Sequence, residues 1–364
     1  MVLLYLLGIV ALGNIAYYFL FSKFTFLKAE EQKQAPTHPV SLIVCAKNEE
    51  DNLRENIPLW LSQDYPNFEL ILINDASIDA TPEIMEAFAE KDDRIKMVHV
   101  KNNEAFWANK KYALTLGIKR AVNTTLIFTD ADCKPASTAW LGQMVARFED
   151  DVQLVLGYGA YTKQPGLLNK IIRFETAITG IQYFSYAKAG MPYMGVGRNL
   201  GYTSDLFYEK KGFMSHIKVP SGDDDLFVNE AATTTNTAIC YAENAFTYSL
   251  PKKTWKEWVH QKRRHYTTAQ LYRTKHKLAL SFYFIFNLLF WPMALAALLF
   301  SDWRLALPVI LVRLALQFFV VGKGLKKLRE PDLVMLLPLL EVFLIFIQLS
   351  IFISGNKAKN SRWK

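Results

Sequence analysis

Thr125-Leu126-Ile127-Phe128-Thr129-Asp130-Ala131-Asp132 decides how the chain folds. Its first half, Thr125 to Phe128, has the composition of a short buried strand, and two carboxylates follow at once. Working outward from it, residues 40–45, 69–73 and 95–100 read as further strands, rich in Val, Ile and Leu. Between them, residues 49–61, 81–91 and 110–121 carry helical patterning, with Pro82 in a first turn where its missing N–H costs nothing. Strands that alternate with helices specify an α/β fold, a largely parallel sheet covered on both faces. Such sheets bind ligands beyond the carboxyl ends of their strands.

Outside this region the character changes. The composition is 51% hydrophobic with a formal charge of +8, and the apolar residues are concentrated at the two ends. Residues 1–21 and most of 278–354 are nearly unbroken apolar sequence, and about 20 such residues cross a bilayer core. Spans are expected at 278–300, 305–321 and 333–354. The first segment lacks a basic start and a small-residue cleavage site, so it reads as an anchor rather than a signal peptide. Lys23, Lys28 and Lys33 follow it and place the middle of the chain in the cytosol, which implies a multi-pass protein of the cell (inner) membrane. Lys323, Lys326, Lys327 and Arg329 then fall in a cytosolic loop. Three later spans put Lys357, Lys359, Arg362 and Lys364 outside, against the charge rule, unless one segment is re-entrant. Arg313 and Glu341 lie within apolar segments, where charges pair inside the protein.

Cys45, Cys133 and Cys240 make no disulfide framework and fit a reducing compartment. The basic excess crowds into residues 252–277, just before the apolar segments, a placement that suits membrane lipids or an anionic substrate rather than nucleic acid. Residues 254–272 read as an amphipathic helix with Trp255 and Trp258, and residues 167–184 as a helix on the domain or the bilayer surface. Residues 214–222 read as a loop.

Two carboxylates one residue apart after a buried strand can aim at one hard cation, so Asp130 and Asp132 are candidate ligands of Mg2+ or Mn2+. Asp75 ends another strand and can accept a hydrogen bond from a base N–H, while Ser77 and Asp79 can cap the helix that follows. Glu49 ends the first strand and can hold a nucleoside; Glu50 and Asp51 suit a helix start. Asn109-Lys110-Lys111 opens a helix where a lysine can meet phosphate. Ser221-Gly222-Asp223-Asp224-Asp225-Leu226 crowds three acids, which raises at least one pKa and suits a general base. In Gln261-Lys262-Arg263-Arg264-His265, Arg264 can bind phosphate oxygens bidentately, whereas Lys262 and Arg263 suit lipid.

In order, Asp75, Asp130-Ala131-Asp132, Asp223-Asp224-Asp225 and Gln261-x-x-Arg264 resemble the D, DxD, D, QxxRW series of membrane glycosyltransferase family 2. That family includes cellulose, chitin, hyaluronan and poly-N-acetylglucosamine synthases and ceramide glucosyltransferase. The resemblance implies a GT-A fold with a mixed sheet, a divalent metal and inversion at the anomeric carbon. It implies that Glu49, Asp75, Lys110, Asp130, Gln261 and Arg264 bind a nucleotide-sugar donor, that Asp132 with Asp130 ligates the metal, and that Asn199 in Gly197-Arg198-Asn199 is acceptor-side. The base is Asp224 if the family's Glu-Asp pair is matched, Asp223 if Asp225-Leu226 is matched without a gap. His265 stands where the family has Trp, which favours transfer of one or few sugars to a lipid or saccharide acceptor over a processive synthase. The implied division is a transmembrane helix (1–22), a linker (23–39), a cytosolic catalytic domain (40–250), an interface helix (251–277), transmembrane helices (278–356) and a basic tail (357–364). A nucleotidyl- or phosphotransferase lacks its Gly-rich loop here, and a non-catalytic sugar-nucleotide-binding membrane protein has no use for the acidic series.

Overall fold

The computed structural model describes residues 1–30, 36–101 and 110–355. The first elements are α1 (Val2–Thr25), β1 (Val40–Ala46), α2 (Glu50–Leu61), β2 (Phe68–Asp75), α3 (Thr81–Ala89), β3 (Ile95–Val100), α4 (Lys110–Arg120) and β4 (Thr125–Asp130). Then come β5 (Cys133–Pro135), α5 (Trp140–Val145), β6 (Leu154–Leu156), β7 (Gly159–Tyr161), α6 (Leu167–Lys188), β8 (Leu200–Thr203), α7 (Ser204–Glu209) and α8 (Asp225–Ala231). The last are β9 (Thr237–Ile239), β10 (Thr247–Ser249), α9 (Trp255–Ala269), α10 (Thr274–Phe300), α11 (Trp303–Lys327) and α12 (Leu337–Gly355). The expected strands and helices of the first half are all present. Two of the strands run two residues further than expected, so that Asp75 and Asp130 are their last residues.

The chain divides into two compact units. One comprises Ala29–Thr162 and Pro192–Pro251 and contains a seven-stranded sheet in the order β3-β2-β1-β4-β8-β6-β9. β1 pairs in parallel with β2 and β4, and β2 with β3. β8 runs antiparallel to β4 and to β6, so the sheet is mixed. Register sets the site. Cys45 on β1 lies opposite Asp130 on one side and Ile73 on the other, so three strands end along one edge. The reversed β8 starts at Leu200 opposite Phe128, which brings the segment just before it back to that same edge. A small sheet, β5-β10-β7, stands directly after Asp132.

β1 and β2 are buried on both faces because helices cover both. Leu42, Val44, Leu70 and Leu72 join Ile57, Trp60 and Trp140 in one core. Each such side chain withdrawn from water contributes roughly 1.5–3 kcal/mol. On the opposite face α4 approaches so closely that a Cβ at Gly117 would stand 2.2 Å from Ile73 Cδ1.

The other unit comprises Met1–Lys28, Lys163–Met191 and, among the described residues, 252–355. Four helices, Val2–Thr25, Thr274–Phe300, Trp303–Lys327 and Pro331–Ile353, are long and apolar enough to span a membrane. Lys323, Lys326 and Lys327 continue the last turns of α11 instead of forming a loop, since nothing breaks the helix before Leu328. Lys33, Asn109 and the basic tail with Lys357, Lys359, Arg362 and Lys364 lie outside the described residues. Arg313 and Glu341 pair at 2.7 Å, as expected, within a larger polar cluster. The Arg313 guanidinium also donates to Asn14, Asn287 and Gln317, while Trp291 donates to Glu341 at 3.0 Å. The start of α9 carries a capping box formed by Thr254 and Glu257. Lys262 on that helix, expected to face lipid, instead pairs with Glu175 of α6 at 2.5 Å, because a carboxylate is within reach.

Candidate active site

Asp130 closes β4, and Asp132 follows in the tight turn into β5. Asn56 of α2 fixes that turn by donating to the Ala131 carbonyl at 2.7 Å. Oxygens of Asp130 and Asp132 and the Cys133 sulfur all lie within 4.8 Å of one another. Burial first, then the two aspartates, drive the Cys133 thiol pKa well up, and the S–H points at Asp132 Oδ1 at 3.4 Å. Sulfur is a soft ligand, so the donors suited to a hard divalent cation are the two carboxylates. Lys110, the first residue of α4, reaches Asp130 at 2.7 Å and Asp223 at 3.2 Å. One ammonium thus ties the strand-end carboxylate to the acidic triplet.

At the neighbouring strand end Asp75 is only 2% exposed, and burial raises its pKa against the opposing pull of Lys47 and Lys110. Its Oδ2 is buried with no hydrogen-bond partner among the described residues, and Lys47 Nζ, at 3.8 Å, is too distant to supply one. A buried carboxylate oxygen left without a donor costs free energy, so the geometry suits a ligand N–H. The loops after β1 and β2 are stitched together around it. Asn48 and Ala76 both take positive φ. The Ile78 N–H donates to Asn48 Oδ1 and the Asn48 N–H to Ser77 Oγ. Ser77 therefore holds Asn48 rather than capping α3; Asp79 takes the Thr81 N–H at 3.1 Å and the Glu50 N–H at 3.3 Å, serving both helix starts. Glu49 sits at the N-cap position of α2, its carboxylate accepting from Asn52 at 2.6 Å.

The triplet is shaped by Gly222, whose φ of +96° lets the chain turn into α8. Asp224 is the N-cap of that helix, and its Oδ2 accepts the Gly197 N–H at 2.7 Å. Loss of water, followed by repulsion from Asp223 and Asp225, lifts the Asp224 pKa to about 7. Asp225 is turned inward and accepts the Leu226 N–H at 2.7 Å. Lys110, Asp130, Gly197, Tyr202, Asp223 and Asp224 line one cleft. Lys111, to which the sequence reading gave no site role of its own, is fully buried and donates to the His216 and Val219 carbonyls, holding the segment that leads to the triplet. A lysine on the inward face of α4 was its only signal.

Asn199, expected toward an acceptor, has no exposed surface. Its Oδ1 accepts from Trp140 Nε1 and its Nδ2 donates to the Tyr158 and Ala245 carbonyls, so the amide is engaged inside the domain and bears on the cleft only through the backbone it fixes. Gln261 and Arg264 lie on α9, in the unit of apolar helices.

Residues 41–196 match the model of glycosyl transferase family 2. The chain carries a glycosyl transferase family 2 domain. A poly-beta-1,6-N-acetyl-D-glucosamine synthase of Staphylococcus epidermidis is 31% identical over 179 residues, 48% of this chain and 39% of that protein. The probable glycosyltransferase YdaM of Bacillus subtilis is 26% identical over 295 residues, 76% of this chain and 68% of that protein. Relatives at 31–33% identity are spanned over only 34–41% of their own length. The mannosyltransferase PcManGT of Pyrobaculum calidifontis, solved with GDP-Man and Mn2+, superposes with a TM-score of 0.62 at 16% identity, over 97% of this chain and 100% of that one. This glycosyl transferase family 2 domain thus has the GT-A-like α/β fold with a mixed sheet that the sequence implied.

Proposed function

We propose that the chain is an inverting glycosyltransferase of the cell membrane that moves a sugar from a nucleotide-diphosphate donor, a UDP-sugar first among them, to a lipid or saccharide acceptor in cell-envelope glycan or glycolipid synthesis. The observation that carries this reading is the cleft in which Lys110 links Asp130 to Asp223 while Asp224 stands beside them with a pKa near neutrality. In this reading the catalytic domain is cytosolic, the four apolar helices anchor it, and Asp75 and Glu49 hold the nucleoside. Mg2+ or Mn2+ held by Asp132 and Asp130 would neutralise charge on the leaving diphosphate.

Asp224 takes the proton of the acceptor hydroxyl. The freed oxygen attacks the anomeric carbon from the face opposite the diphosphate, the bond to that diphosphate breaks, and the configuration inverts. Asp224 is favoured over Asp223 because Lys110 neutralises Asp223 at 3.2 Å, whereas Asp224 pairs with no cation among the described residues. His265 in place of an aromatic floor favours addition of one or few sugars. The likeness to a poly-beta-1,6-N-acetyl-D-glucosamine synthase makes a processive synthase the second reading.

The test is release of nucleoside diphosphate by detergent-purified protein offered UDP- and GDP-sugars with and without Mn2+ or Mg2+. We expect metal-dependent release from one donor class, and its loss in Asp132→Ala. Release of pyrophosphate instead, or undiminished activity in Asp132→Ala, would overturn the reading.

A further inference from the structure

Arg198 belongs to none of the roles above, yet it is among the most firmly held cations of the domain. Its carbonyl accepts from Thr129 Oγ1 and Thr247 Oγ1, each at 2.9 Å, so its backbone is fixed one residue from both the β4 terminus and the Gly197 N–H that Asp224 uses. Its side chain passes a glycine for a steric reason: a Cβ on Gly159 would come within 3.0 Å of Arg198 Cβ and 3.2 Å of its Nε. Nη1 donates to the Ala160 carbonyl at 3.1 Å and to Ser249 Oγ at 2.8 Å, and the guanidinium carbon lies 4.2 Å from the centroid of the Tyr161 ring. Burial opposes its charge, but Tyr161, Cys133, Asp132 and Asp130 hold its pKa above the ordinary value.

Every anchor on this guanidinium is neutral. Nε and Nη2 have no hydrogen-bond acceptor among the described residues, and no carboxylate forms a salt bridge with the group, although Asp130 and Asp132 are close enough to act on it. An arginine whose backbone, stem and one nitrogen are fixed, with its remaining edge uncommitted, is preorganised for a planar anion with two oxygens. A second cation beside metal-binding carboxylates makes electrostatic sense when the site must hold more negative charge than those carboxylates bring.

Resting on the function proposed above, we infer that Arg198 is a phosphate-binding residue whose Nε–Nη2 edge receives anionic phosphate oxygens next to Asp130-Ala131-Asp132. Those oxygens belong either to the diphosphate of the donor or to a phosphate on the acceptor, and the test separates the two. Binding of UDP and GDP in the presence of Mn2+ is measured by calorimetry on detergent-purified wild type, Arg198→Gln, Arg198→Lys and Ser249→Ala, with inhibition of donor turnover by dodecyl phosphate as the second arm. Loss of about tenfold or more in nucleoside diphosphate affinity in Arg198→Gln, partly regained in Arg198→Lys, assigns the donor. Unchanged nucleotide affinity with lost inhibition by dodecyl phosphate assigns a phosphorylated acceptor. If neither changes, or if Ser249→Ala, which loosens the anchor but keeps the fork, weakens binding as much as Arg198→Gln does, the inference is wrong. Should Arg198→Gln not fold, Arg198→Lys decides: weakened binding supports the fork, wild-type binding refutes it. A wild type that binds neither probe removes the parent reading as well, which no failure confined to Arg198 does.

Discussion

Asp223 and Asp224 are adjacent in sequence and opposite in electrostatic circumstance. Asp223 faces the Lys110 ammonium; Asp224 is withdrawn from water, close to two like charges, and sits near pKa 7. A base must be ionised to act, so turnover should rise with pH through about 7. Asp224→Asn should lower kcat by about 100-fold or more and flatten that limb, read from a pH–rate profile of donor turnover. Stability moves the other way. The raised pKa means that the folded chain keeps a proton there which the unfolded chain has already released, so this contribution is full below the ordinary carboxylate range and lost as pH rises through about 7. The melting temperature of Asp224→Asn relative to wild type should therefore climb between about pH 5 and pH 8. The acidic triplet was legible as a cluster, but sequence left two aspartates in contention. What separates them is a lysine more than a hundred residues earlier, a partnership no local pattern announces.

Elements explain why the first strands of the fold could be read and the later ones could not. β1, β2 and β4 are six to eight residues of β-branched and apolar sequence buried on both faces, a signal strong enough to stand alone. β5, β6, β7, β9 and β10 have three residues each and exist because neighbours pair with them; such lengths carry no periodicity. The antiparallel β8 was equally hidden, although it returns Gly197 to the cleft. The turn before α8 is where an element and the chemistry meet. Gly222 has φ of +96°, and a Cβ there would stand 2.5 Å from Leu226 Cδ1. Gly222→Ala should cost about 1–3 kcal/mol, visible as a lower melting temperature, and should displace Asp223 and Asp224 enough to depress kcat more than donor affinity. Equal melting and equal turnover would show that the turn is not what positions them.

For the whole molecule, apolar length alone located the long helices, and buried polar groups then determine how they associate. Arg313, with no exposed surface, draws Asn14 of α1, Asn287 of α10 and Glu341 of α12 onto α11. Arg313→Leu should destabilise by roughly 3–5 kcal/mol because Glu341 is left buried without its partner, and Arg313→Leu with Glu341→Leu should regain much of that loss in detergent melting. A double variant no better than the single one would assign the cluster a purpose other than holding helices together. Sequence identified the charged pair but not the amides around it, since Asn and Gln in an apolar run say nothing about which helix they face. The reversal of direction between β4 and β8 has a consequence for protein engineering. Under the proposed function, Glu49, Asp75, Lys110, Asp130 and Asp132, on the side of the sugar nucleotide, come before that reversal, and Asp224, which activates the acceptor, comes after it. Hybrids spliced between the two stretches should inherit donor preference from one parent and acceptor chemistry from the other, provided both parents keep the β4–β8 register.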